Sequence, residues 1–333
     1  MSDRASIGNI VKLSIPIFFA NLVIPLVAIV DTGLMGNLDN ASYLTATSIA
    51  TSVFSLIFWS FGFLRMGTTG MVAQAYGSKN YNEIINLVFR NIAFVILMSL
   101  LLILCQGYIF TIALSIFELS AETKKYFKEY FEIRIYSSFG ELMIYIITGL
   151  FIGLQRTTVS SVIVGFFSIT NILLSLLFVV YFDLDVQGVA LGTLVSSTLT
   201  AVIFLCYTFL ELQKFTSIKI NVAKIFNLKK ITKLFNINFD IFVRSAFLTF
   251  SFLFFTYLGN TISEDVVAAN TILLNLIMLS AFILDAYAFS TEGIVGYSIG
   301  SKNKTLLTSV IKNSFILSAT TGLLISIIYF FGK

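Results

Sequence analysis

A chain of 333 residues that is 57% hydrophobic and only 11% charged cannot cover a water-soluble surface, since soluble domains carry about 25% charged residues. Its net charge of +4 calls for no nucleic acid, and with no histidine it lacks the commonest metal ligand and the usual Ser-His or Cys-His pairings of hydrolases. Long apolar runs, at or above the roughly 20 residues that a spanning helix needs, predict an all-α polytopic membrane protein and not a barrel of alternating strands.

Nine spanning segments are predicted, near 9–32, 44–76, 84–113, 126–152, 159–182, 186–211, 237–259, 266–298 and 306–331. The opening "MSDRASIGNIVK" lacks the short apolar core and cleavage pattern of a secretory signal, so the first run is expected to stay as a helix. That run contains Pro16 and Pro25 and leads to Asp31. A proline inside a helix removes one backbone bond and crowds the preceding turn, so segment one should bend and free carbonyls near Pro25 for a cation or water. A charged residue at the centre of a spanning helix costs about 2.5–3.5 kcal/mol. If shielded from water, Asp31 is a group that can bind and release a proton or coordinate sodium. At the membrane edge it would simply be solvated, and position alone leaves the two readings even.

Segment two carries Arg65 in "FGFLRMGTTG", placed to snorkel to the inner surface or to pair with a carboxylate. Cys105 and Cys206 stand singly in apolar runs, which gives neither a disulfide framework nor a zinc site. An outer loop is expected around 115–128, where Glu118, Glu122 and Glu129 mix with Lys124, Lys125 and Lys128. In segment four Arg134 and Glu141 are seven apart and should compensate one another. Asn171 and Ser175 share a face of segment five, where polar side chains ordinarily hydrogen-bond across helices. A basic loop at 212–236 divides the chain into an N-terminal lobe, 1–212, a linker, 213–235, and a partial C-terminal lobe, 236–333. In segment seven Asp240 and Arg244, four apart, are expected to form an intrahelical ion pair. In segment eight Asp285 and Glu292, seven apart, share one face and suggest an aqueous or cationic pathway.

Two patterns organise these pieces. Starting inside, the inner stretches hold twelve Lys and Arg residues, among them Arg4, Lys12, Lys79, Arg156, Lys219, Lys224, Lys230, Lys233 and Lys302, against Lys124, Lys125, Lys128 and Lys333 outside. This asymmetry predicts a cytoplasmic N-terminus. The second pattern is a repeat: "GSKN" occurs at 77–80 and again at 300–303, an offset of 223. At the same offset Gly36-Asn37 falls on Gly259-Asn260, Ala46 on Ala269, Leu56 on Leu279, Gly70 on Gly293 and Val72 on Val295, without a gap. Shared helix composition would inflate matches among Ala, Leu and Val but not the turn residues in register. A tandem duplication follows, with one complete six-helix unit and about half of a second before Lys333.

With those residues in view, "IPIFFANLVIPLVAIVDTGLMGNL", "FWSFGFLRMGTTGMVAQAYG", "GLQRT" and "NTILLNLIMLSAFILDAYAFSTEGIVGYSIG" resemble the multidrug and toxic compound extrusion (MATE) family, and its DinF-like branch in particular. The resemblance implies twelve helices in two six-helix lobes around a cavity that opens alternately to either side. It also implies export of organic compounds, often cationic or amphipathic, driven by inward flow of protons or sodium, with no further cofactor and no resident metal. The family's first-helix carboxylate matches Asp31, its fifth-helix asparagine matches Asn171, and the eighth-helix acids of the DinF-like branch match Asp285 and Glu292. Two departures stand out: Ser175 occupies a place where many relatives carry aspartate, and helices ten to twelve are missing from this sequence. The expected function is therefore a cation-coupled exporter of small organic molecules in the inner membrane, surrounded by its lipids. The alternatives are a truncated or split chain that needs a separate C-terminal fragment, and a flippase of lipid-linked saccharides.

Overall fold

The computed structural model of the chain describes residues 2–38, 40–117, 119–215, 225–260 and 264–331. Among them there is no β-strand. The α-helices are, in order, α1 (Ile7–Gly36), α2 (Ala41–Ser60), α3 (Phe63–Gly77), α4 (Tyr81–Leu104), α5 (Gln106–Ile116), α6 (Ala121–Arg134), α7 (Ser138–Gly153), α8 (Thr157–Leu176), α9 (Asp185–Gln213), α10 (Leu228–Asn260), α11 (Glu264–Gly300) and α12 (Lys304–Phe331). Eight stretches among the described residues are long and apolar enough to cross a bilayer, and this is a multi-pass membrane protein.

Local chemistry explains where these helices start and stop. Ser6 caps α1, its hydroxyl accepting from the Asn9 amide, and the helix then runs unbroken through Pro16 and Pro25. The expected second segment is divided: the Phe61 and Gly62 amides donate to the Phe58 and Trp59 carbonyls, which tightens the turn and ends α2 before α3 begins. The expected loop at 115–128 is corrected from residue 121 onward, where α6 has already begun. Ser120 caps it through the Thr123 amide, and the pairs Lys125–Glu129 and Lys128–Glu132 brace its exposed side. A helical solution for a charged stretch needs only such i,i+4 pairs and a cap. The linker expected over 213–235 is likewise shorter than its sequence suggests, because α10 starts at Leu228; Lys219 and Lys224 lie outside the described residues.

Moving 223 positions along the chain, the start of α2 falls on the start of α11 (Ala41, Glu264), the end of α3 on the end of α11 (Gly77, Gly300) and the start of α4 on the start of α12 (Tyr81, Lys304). The two GSKN turns share a conformation as well. Lys79 and Lys302 both have positive φ, 58° and 54°, and Asn80 and Asn303 each accept a backbone amide of the helix that follows, from Glu83 and Leu306.

The main apolar core lies within the first six spans, built on Phe54, Phe127, Phe131, Leu142, Met143 and Phe151. The most extensive contacts with the later helices are those of α1 and α3 with α11; α1 also packs on α8 and α3 on α7, while α10 packs on α3 and α11 on α7. The α3–α11 contact is backbone to backbone. A Cβ on Gly77 would stand 2.2 Å from the Tyr297 carbonyl oxygen, and one on Gly300 would stand 2.0 Å from the Gln74 carbonyl oxygen, so only glycine fits at either place. Ser14 and Ser290 share a hydrogen bond of 2.8 Å across the neighbouring α1–α11 contact. At the same end the Arg4 guanidinium lies 4.2 Å from the Tyr297 ring centroid and donates to Gln155 Oε1. Large apolar side chains remain exposed on the later helices, such as Phe247 and Phe250 on α10 and Phe315 and Phe330 on α12.

Candidate functional site

Polar residues converge inside the first bundle, between α1, α8 and α9. Ser168, Asn171 and Ser175 follow one another at spacings of three and four, which puts them in a line on one face of α8. Thr193 and Ser196 form the matching line on α9. Both α9 hydroxyls donate to carbonyls of their own helix, at Val189 and Thr193, so they meet Asn171 as acceptors. Asn171 Nδ2 donates to Thr193 Oγ1 at 2.9 Å and to Ser196 Oγ at 3.4 Å. Close packing is possible because Gly192 faces Ser175: a Cβ there would lie 2.5 Å from the serine hydroxyl.

Asp31 closes this group from α1, facing Ser175, with Tyr130 and Arg134 of α6 within electrostatic reach. Asp31 Oδ1, Ser168 Oγ, Asn171 Oδ1 and Ser175 Oγ are all buried and make no hydrogen bond among the described residues. Leaving a buried polar atom unpaired costs about 1–3 kcal/mol, so a line of such oxygens beside a carboxylate is an acceptor-rich lining for a proton, water or small cation. Arg134 is held elsewhere. It is ion-paired to Glu141, as the sequence spacing anticipates, and hydrogen-bonded to Ser137. Its guanidinium stands 5.2 Å from the ring centroids of Phe54 and Phe58.

A second charged group lies between the two halves. The half-buried Arg65 guanidinium of α3 stacks on Phe289 of α11, 3.5 Å from the ring centroid. Glu292 and Asp285 of α11, together with Tyr145 of α7, are its electrostatic neighbours. Arg244 of α10 acts on the same two acids and approaches Met66 Sδ at 3.6 Å. The expected Asp240–Arg244 pair is thereby corrected. No ion pair joins them among the described residues, because Arg244 reaches toward two carboxylates across the interface while Asp240 is exposed.

Of the residues singled out from sequence, Asp31, Asn171 and Ser175 come together in one site, and Arg65, Asp285 and Glu292 gather in another. Pro16 and Pro25 lie earlier in α1. Sequence reasoning missed Thr193, Ser196, Ser168 and Gly192. The signal for the α9 pair was present in "GTLVSSTLT", a polar stripe at helical spacing within an apolar run.

Helices this long and apolar define an α-helical multi-pass membrane protein. The MatE family model matches residues 16–177 and 241–333, and the chain belongs to that family. DNA damage-inducible protein F of Escherichia coli K12 is 29% identical over 321 residues, covering 95% of this chain and 69% of that protein. The multidrug export protein MepA of Staphylococcus aureus NCTC 8325 is 23% identical over 239 residues, 71% of this chain and 52% of MepA. Among solved structures, the outward-facing conformation of a multidrug resistance MATE family transporter of the MOP superfamily superposes with a TM-score of 0.85 at 19% identity. It is covered over 71% of its length, against 97% of this chain. A MOP superfamily transporter from Pyrococcus furiosus gives the same TM-score and identity, with 96% of this chain and 70% of that one covered.

Proposed function

We propose that this chain carries the ion-coupling lobe of a secondary exporter of small organic compounds, working by alternating access in the inner membrane. The observation that carries the reading is the half-buried Asp31 carboxylate, whose Oδ1 is buried and unpaired, beside the unpaired oxygens of Ser175 and Asn171. Asp31 binds the coupling proton or sodium ion, Ser175 and Asn171 complete its oxygen lining, and Thr193 holds the asparagine amide in orientation. Ser175 supplies a neutral oxygen, so among the described residues Asp31 is the one carboxylate in this lining, and a single charge is neutralised per cycle. Pro16 and Pro25 interrupt the bonding of α1 below the acid and let that helix change shape when the charge is neutralised.

The nine-span arrangement belongs to this reading, with 237–259 as the seventh span inside α10 and with α10 to α12 repeating the opening helices at offset 223. So does a cytoplasmic N-terminus, supported by the Lys and Arg bias of that end. The organic substrate occupies the space between the halves, where a cationic group would compete with Arg65 for the Phe289 ring and for Asp285 and Glu292. Relatives named for multidrug export favour this over saccharide-lipid flipping.

The test is efflux of a fluorescent organic cation from vesicles under an imposed proton or sodium gradient. Wild type should respond to one of the two gradients, and Asp31→Asn should fall to the level of empty vesicles while still binding the dye. Gradient-driven efflux by Asp31→Asn equal to wild type would remove the residue from the mechanism.

A further inference from the structure

A crevice of about 360 Å³ opens beside the glycine contact of α3 and α11, at the end of the molecule that carries the N-terminus. Its walls come from both halves of the chain. Gln74 and Ser78 lie on one side with Asn80, Glu83 and Arg90, while Lys230, Lys233, Ile299 and Gly300 lie on the other. Three cationic side chains thus meet one carboxylate.

That carboxylate is fully engaged. Glu83 Oε2 is ion-paired to Lys230, and Glu83 Oε1 lies 3.6 Å from the Arg90 guanidinium. Arg90 is nearly fully buried and also donates from Nε to the Ile225 carbonyl at 2.9 Å, which fastens the approach to α10 onto α4. Lys233 has no counter-charge among the described residues. Gln74 and Asn80 line the same space, and their side-chain amides donate no hydrogen bond among the described residues. The crevice therefore presents a net positive charge together with spare N–H donors, on a frame fixed by the Glu83–Arg90–Lys230 cluster. Anions with several acceptor oxygens match this donor set, and phosphate oxygens match it in both charge and number.

The flank of α10 turned away from Lys230 and Lys233 is apolar and open. Phe235 and Phe239 are both exposed and stack on each other, with centroids 6.1 Å apart. Basic pockets between transmembrane helices at the membrane surface hold acidic headgroups, with each lysine contributing about 1 kcal/mol.

We propose that this crevice binds a phosphate-bearing anion, in the membrane the headgroup of an acidic phospholipid, held by Lys233 and Lys230 with the amides of Gln74 and Asn80. Because Ile299 and Gly300 form one wall and Gln74 and Ser78 another, the bound headgroup bridges both halves and stabilises their contact at this end.

Native mass spectrometry and thermal unfolding of the full chain in detergent test this without any transport measurement, so the result is independent of the exporter reading. The probes are phosphatidylglycerol, phosphatidylcholine and inorganic phosphate. Wild type should retain phosphatidylglycerol over phosphatidylcholine and unfold at a higher temperature with it. Lys233→Gln, which breaks no ion pair, should bind it about fivefold more weakly. Lys12→Gln, an exposed lysine of the same end, should bind as wild type does. Competition by inorganic phosphate beyond that of chloride at equal ionic strength supports a site for the phosphate group, and binding of inorganic phosphate without phosphatidylglycerol assigns the site to a soluble phosphate. Equal retention of both lipids with no phosphate binding, or undiminished phosphatidylglycerol binding by Lys233→Gln, overturns the proposal.

Discussion

At the residue scale, the site depends on two kinds of constraint that sequence displays unequally. Asp31 is legible because an acid that follows an apolar, proline-containing run is conspicuous, and Asn171 is legible as an amide in the middle of a span. Gly192 is not, because its role is set by Ser175 on a helix it meets only in three dimensions. Gly192→Ala places a methyl 2.5 Å from the serine hydroxyl. It should destabilise the lobe by about 1–3 kcal/mol, seen as a lower unfolding temperature, and should slow efflux with it. A thermal midpoint unchanged from wild type would show that α8 and α9 can separate freely there. The Arg134–Glu141 pair gives a second residue-level test. Both side chains are mostly buried, so Arg134→Gln alone strands a carboxylate and should cost about 3–5 kcal/mol. Arg134→Met combined with Glu141→Leu should recover much of that loss in the same unfolding measurement, because neither charge then remains to be solvated.

The helices themselves illustrate what periodicity can and cannot deliver. Hydropathy located α1, α8, α9 and α12 closely, since a bilayer imposes one length and one polarity on each. It ran straight through the α2–α3 break, because Phe61 and Gly62 are as apolar as their neighbours and only the local hydrogen bonding changes. Nor does it show the start of α6, whose charges suggest solvation but pair along a helix. The ends of α3 and α11 make the most specific demand at this scale. Gly77 and Gly300 each touch the backbone of the other helix, so Gly300→Val should wedge the contact apart. In a background with Cys105 and Cys206 replaced by serine, a Ser14→Cys probe sits in the adjoining α1–α11 interface, buried in wild type. A water-soluble thiol reagent should label that probe several times faster when Gly300→Val is added. Identical rates would mean that the two helices can part without exposing the interface.

For the whole molecule, the offset of 223 ties topology to function. If the two GSKN turns are equivalent by duplication, Lys79 and Lys302 must lie on the same side of the membrane, although six spans separate them in the nine-span reading. The fold supports this: both lysines sit at positive φ, and the glycines two residues before them pack on opposite helices of one contact. Lys125, near the start of α6, stands at the far end of α4 and α5 and should face the other side. Single cysteines at these three positions, in the serine-substituted background, separate the possibilities when a membrane-impermeant maleimide is applied to intact cells. Lys125→Cys should react at once, whereas Lys79→Cys and Lys302→Cys should react only after permeabilisation. Reaction of Lys79→Cys and Lys302→Cys from opposite sides would break the repeat, because an even number of spans between equivalent turns cannot leave them on different faces. Reaction of both from outside would preserve the repeat and invert the molecule, and the Asp31 lining would then have to open to the ion from the reverse direction.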